Sequence, residues 1–178
     1  MRKLLLIASL GVACTLSGVT AYVGARPAAA AWREIAWPFP RDGWPAGRAF
    51  RCDARLCGEA IDLYVRPKIG FCNCDSGVAD DDEVDRVADL DLISPRFAAD
   101  EPGRAVQLAN MSGRMRSYSL QLPDGSRHAA VGIALSRRCD LVVAAAHGAS
   151  GAQLQDAALN FLGKQDVRQW ITAALDGR

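Results

Sequence analysis

A basic surplus is the first thing this sequence lacks. Its 178 residues carry 21 Lys and Arg against 20 Asp and Glu, a formal net charge of +1. Three of those bases and none of the acids fall in the first 31 residues, so the remaining 147 carry −2. That excludes a nucleic-acid binder, which needs a strong basic excess. The preference for arginine, 18 against three lysines, reads as a compositional habit rather than an arginine-built anion surface. No second long apolar run follows the N-terminal one, so the sequence predicts no further membrane-spanning helix. No repeat at solenoid spacing is present.

Catalytic signatures are also scarce. There is no G-x-S-x-G nucleophile elbow, and the only histidines are His128 and His147. The acids Asp75, Asp80, Asp81, Asp82, Glu83 and Asp85 do not follow the D-x-[DN]-x-[DN]-G calcium loop, and Gly77 stands in the wrong place for it. They read instead as a solvated helix N-terminus. "HGASG" at 147–151 is a strand end, a Gly-Ser loop and a capped helix start, a weak anion-site signal. Cys139 and His147 are the residue types of a thiol–imidazole pair, but the sequence does not place them together. Arg114 and Arg116 share a strand face with Tyr118 and read as an exposed sheet face rather than an anion site. The balance favours a non-enzymatic protein.

What is present begins with an export signal. Arg2 and Lys3 precede an apolar, uncharged stretch from Leu4 to about Gly24, and "AAAA" at 28–31 supplies small residues for cleavage. The same stretch, if uncleaved, is long enough for a signal anchor. Cys14 suits a lipoprotein signal poorly, because Gly11 stands where a larger aliphatic is wanted. The chain therefore divides into 1–31, a signal peptide or signal anchor; 32–50, a Trp- and Pro-rich strap; and 51–178, a single domain. A mature chain of this length buries roughly 68–70% of its unfolded surface.

In the strap, Pro38, Pro40 and Pro45 remove backbone donors and favour extended geometry. Trp37 and Trp44 either anchor it to the domain or form a partner surface, tryptophan being favoured at binding hot spots. "AIDLYVRP" alternates as a strand, with Ile61, Leu63 and Val65 on one face and Asp62, Tyr64 and Arg66 on the other; Pro67 should end it or place it at an edge. "DDDEVDRVADL" (80–90) predicts a helix capped by Asp80 or Asp81, with Val84, Val87 and Ala88 on one face. Strands follow at "AVQLANMSG" and "RMRSYSLQL", then the turn "LPDGSR". "HAAVGIALS" and "CDLVVAAAHG" form a hairpin around Arg137 and Arg138, apolar enough to be covered on both faces. The last segment is helical, broken by Gly163, with Val167, Trp170, Ile171 and Leu175 on one stripe. This order predicts an α+β fold: an antiparallel β-sheet with helices packed on it, including a C-terminal helical segment.

Five cysteines follow the export segment: Cys52, Cys57, Cys72, Cys74 and Cys139. In an exported protein their default fate is disulfides, and the odd count leaves one thiol. Cys52 and Cys57 can close a short loop. Cys72 and Cys74, on an extended chain, point the same way, so one of them reaches Cys139 and the other stays free. Two alternatives stay open. Cys52, Cys57, Cys72 and Cys74 offer four thiolates for Zn²⁺ or Cu(I), though neither pair has the C-x2-C spacing of zinc ribbons. A thiol–disulfide oxidoreductase is the other, opposed by the acids after Cys74, which raise a thiol pKa. The leading reading is an exported, disulfide-stabilised binding or accessory protein of the periplasm or extracellular space. It needs no cofactor, its partner is an unknown protein or small ligand, and it meets a membrane only through an uncleaved N-terminal segment, which would anchor it with the domain in the periplasm.

Overall fold

The computed structural model describes residues 31–70, 73–151 and 153–177. Residues 1–30 of the export segment, Cys14 among them, and Cys72 therefore lie outside the described residues. The fold is α+β, an eight-stranded antiparallel sheet with helices on both faces.

The strands are β1 (Trp32–Ile35), β2 (Arg48–Cys52), β3 (Ile61–Lys68), β4 (Phe97–Ala99), β5 (Arg104–Leu108), β6 (Met111–Gln121), β7 (Arg127–Arg137) and β8 (Asp140–Gly148). Their spatial order is β1-β2-β3-β8-β7-β6-β4, with β5 also on β6. Between β2 and β3 lies α1 (Ala54–Cys57); α2 (Asp81–Val87) and α3 (Leu90–Ile93) precede β4; α4 (Leu154–Leu162) and α5 (Gln165–Leu175) close the chain.

β8 sits between β3 and β7 and alternates cleanly. Val142, Ala144 and Ala146 join the core under α4 and α5, while Leu141, Val143 and Ala145 join the core under α2 and α3. Period-2 side-chain alternation explains why its sequence is apolar almost throughout. Small residues let the helices settle close. A Cβ at Gly132 would lie 2.8 Å from that of Ala88 and 3.1 Å from the Tyr118 ring.

The capped helix at 80–90 forms as α2. Asp80 accepts the Glu83 N–H at 2.9 Å, and Val84, Val87 and Ala88 are buried. Leu154, Ala158, Phe161 and Leu162 hold α4 to the sheet; Val167, Ile171 and Leu175 hold α5. The break between them comes where Lys164 turns extended (ψ 143°), directly after Gly163.

Four local expectations are corrected. The irregular strap is only 36–47, because its two ends pair as β1 and β2. The strand read from "AVQLANMSG" turns back at Ala109–Asn110, where Ala109 takes φ 53°, so β6 starts at Met111. The chain after β3 does not continue extended into Cys74. It turns, and Asn73 bridges back to Gly77. The Gly-Ser loop at 147–151 does not cap α4: the Ser150 N–H and Oγ–H donate to Glu59 instead. Pro67 lies past Val65, where β2 has ended, so one edge of β3 is free of β2 there.

Candidate functional site

The chemistry concentrates on one face of β3. Ile61, Leu63 and Val65 go to the α4–α5 core, so alternation sends Asp62, Tyr64, Arg66 and Lys68 to the other face. There the strap and the α2–α3 corner cover Tyr64, Arg66 and Lys68.

Arg66 organises one end. It is 3% exposed, and it donates two bonds to Asp42 of the strap (2.9 and 2.7 Å) and two to Asp89 at the α2–α3 corner (2.6 and 2.9 Å). Lys68 Nζ donates to Asp89 (2.6 Å) and to the Val87 carbonyl (2.9 Å). Buried cations persist only when paired in this way. Burial would lower the Arg66 pKa, but the bonds it donates to Asp89 and Asp42 outweigh burial and raise it. The Arg66 bonds hold Asp42 down to about 2.

Aromatic rings roof this ion cluster. Trp37 meets Phe39 edge-on at 5.3 Å, and both meet Tyr64 edge-on, at 6.1 and 4.7 Å. The guanidinium of Arg66 lies 5.9 Å from the Trp37 ring centre, and Lys68 Nζ lies 5.8 Å from that of Trp44. Trp37 and Trp44 are thus brought to one cluster, and both stay half-buried. The cavity among the strap residues is about 30 Å³, roughly room for one water.

At the other end Tyr64 stacks on His147 (centroids 5.9 Å), and its hydroxyl lies 3.5 Å from His147 Nε2. Asp62 Oδ2 is 3.9 Å from the same nitrogen, and Arg51 grips Asp62 at 2.5 and 2.6 Å. His147 Nδ1 faces His128 Nδ1 at 3.2 Å. Burial lowers the His147 pKa to about 4, the Asp62 charge opposing and the neighbouring His128 assisting. Burial likewise raises the Tyr64 hydroxyl, with the Asp62 charge adding to it.

The sequence reading missed this histidine meeting, although its own hairpin contained it. The predicted turn around Arg137 and Arg138 would set His128 directly opposite His147. The observed register pairs His147 with Ala130, leaving His128 as its diagonal neighbour on the same face. Cys139 is at the far end of β8 from His147, so no thiol–imidazole pair forms.

The acid run is not merely a solvated helix end, nor are Arg114 and Arg116 an exposed sheet face. Arg114 donates to Asp81 at 2.9 and 2.5 Å, and Arg116 donates to Asp85 at 2.7 Å. The Tyr118 hydroxyl donates to Asp85 at 2.5 Å. These bonds clamp α2 to β6. The Gly103 N–H, then Arg114, hold the Asp81 carboxyl below its ordinary pKa.

Cys52 bonds Cys57 across α1 (Cα–Cα 6.1 Å), and Cys74 bonds Cys139 (Cα–Cα 4.3 Å). The four-thiolate metal set of Cys52, Cys57, Cys72 and Cys74 is corrected accordingly: three of its sulfurs are spent in disulfides, so they offer no thiolate. Among the described residues, no three His, Cys, Asp or Glu side chains converge to hold a metal. A separate open recess of about 550 Å³ runs along α5, lined by Gln165, Arg168, Thr172 and Asp176; none of the residues of the β3 cluster lines it. The chain matches no protein-family model, and no curated protein matches it in sequence.

Proposed function

We propose that the protein is exported and acts, without catalysis, as a disulfide-stabilised binding or accessory module of the periplasm. The observation that carries this reading is the pair of closed disulfides, Cys52–Cys57 and Cys74–Cys139, which persist in oxidising compartments. No described helix is long and apolar enough to cross a membrane. The contact surface is the strap. Pro38, Pro40 and Pro45 are exposed around the half-buried Trp37 and Trp44, and the small cavity beneath favours a protein surface over a small ligand.

The test joins location to contact. Fractionated cells should yield, outside the cytoplasm, a species starting near Ala31 or Trp32 with two disulfides by intact mass before and after reduction. A photo-crosslinking residue at exposed Pro38 should give one discrete protein adduct in intact cells, and the same residue at exposed Gln107 of β5 should not. A reduced cytoplasmic product, or equal adducts at both positions, overturns the reading.

A further inference from the structure

We propose that His128 and His147 form a two-imidazole site for a divalent late transition-metal ion, Zn²⁺ or Cu²⁺, at the open end of the β7–β8 hairpin. The two facing Nδ1 atoms are 3.2 Å apart. With metal–nitrogen bonds of about 2.0–2.1 Å, that separation subtends about 100° at a shared ion, close to tetrahedral. The hairpin sets the spacing, because the two residues are diagonal neighbours on one sheet face.

His147 is prepared for the task from behind. Its Nε2 faces the Tyr64 hydroxyl at 3.5 Å and the Asp62 carboxylate at 3.9 Å, with Asp62 itself fixed by Arg51. A carboxylate behind an imidazole selects the tautomer protonated on that side, here Nε2–H, and leaves the Nδ1 lone pair for a ligand. A bound cation makes Nε2–H a stronger donor and draws it towards Asp62. Tyr64 stacks on the ring and limits its rotation. Two imidazoles leave further coordination positions for water or an external ligand, and His128 is only half-buried. Imidazole suits Zn²⁺ and Cu²⁺, and Cu²⁺ binds most tightly of the divalent first-row ions. It is therefore the probe least forgiving to the proposal.

The full mature protein, disulfides intact, would be titrated with Cu²⁺ and with Zn²⁺ by calorimetry, and the Cu²⁺ form examined by electron paramagnetic resonance. One equivalent should bind, with hyperfine coupling to two imidazole nitrogens. His128→Gln, at the more exposed position, should weaken binding at least about 10-fold while leaving the thermal melt unchanged. Asp62→Asn should weaken it about 10–100-fold as a positioning residue, and restoring a carboxylate with Asp62→Glu should recover part of the loss. Absence of Cu²⁺ binding overturns the proposal. So does binding that His128→Gln leaves intact, which would locate the ion at the Cys72 thiol or the N-terminal amine.

Discussion

Arg66 on β3 and Asp42 on the strap are joined by two parallel bonds of 2.9 and 2.7 Å across 24 residues of sequence. This pair, rather than the tryptophans alone, ties the strap to the sheet. Asp89 meets the same guanidinium from the α2–α3 corner, so one buried cation fastens two separate segments. Replacing a buried arginine while its carboxylates remain costs about 3–5 kcal/mol in well-enclosed cases. Arg66→Met should fall near the lower bound, because Lys68 still neutralises Asp89. Urea unfolding followed by tryptophan fluorescence should show a lower midpoint. A midpoint equal to wild type would deny the fastening role.

Trp37 contributes through ring packing. It contacts Phe39 and Tyr64 and lies against Gly47, where any added Cβ would strike the Val65 carbonyl and the Trp37 ring. Fully buried aromatics cost about 3–5 kcal/mol on truncation. Trp37 keeps part of its surface in water, so Trp37→Ala should cost about 2 kcal/mol. Gly47→Ala should also destabilise, for the opposite reason of overpacking. If both variants unfold at the wild-type urea concentration, the strap is not part of the cooperative fold.

The two disulfides should differ in value. Cys74–Cys139 closes a separation of 65 residues and Cys52–Cys57 one of 5. On the chain-entropy account this corresponds to about 4 kcal/mol against about 2 kcal/mol. Cys139→Ser should therefore lower stability roughly twice as much as Cys57→Ser, and each should expose one additional alkylatable thiol. The reverse ranking would mean that residual structure or native-state relief, not loop closure, governs the effect.

Much of this architecture was legible because its signals are local. The Asp80 cap and the Val84–Val87–Ala88 stripe lie within nine residues. The β7–β8 hairpin is visible in its two apolar runs around the Arg137–Arg138 turn. The register was harder. Arg138 adopts φ 59° and the loop comprises Arg138 and Cys139, so Arg137 pairs with Asp140. That shift turns the His128–His147 pair from direct to diagonal. The ion clusters were not legible at all. Asp42 and Asp89 reach Arg66 across 24 and 23 residues, and Asp81 reaches Arg114 across 33. No periodicity encodes which carboxylate a given arginine will find. An acid-rich helix start and an arginine-bearing strand each look like solvated surface until the topology lays one over the other.

The pH dependence of stability should separate two of these groups. Burial depresses His147 from an ordinary 6.5 to about 4 in the folded protein. The unfolded chain therefore takes up a proton between those values while the folded chain does not. Stability is complete above about pH 6.5 and falls as the pH is lowered towards 4, by up to about 3 kcal/mol for a shift of this size. Asp42 has the same sign in a lower window: its ordinary 3.8 drops to about 2 beside Arg66, so its contribution is lost between pH 4 and 2. Urea midpoints for the wild type should thus decline in two stages. His147→Gln should remove most of the slope between pH 6.5 and 4 and leave the lower stage, whereas Asp42→Asn should do the reverse. A wild-type curve that stays flat from pH 7 to 4.5 would mean that His147 accepts its proton in the folded state, and that the ring is less enclosed than its stacking on Tyr64 and contact with His128 require.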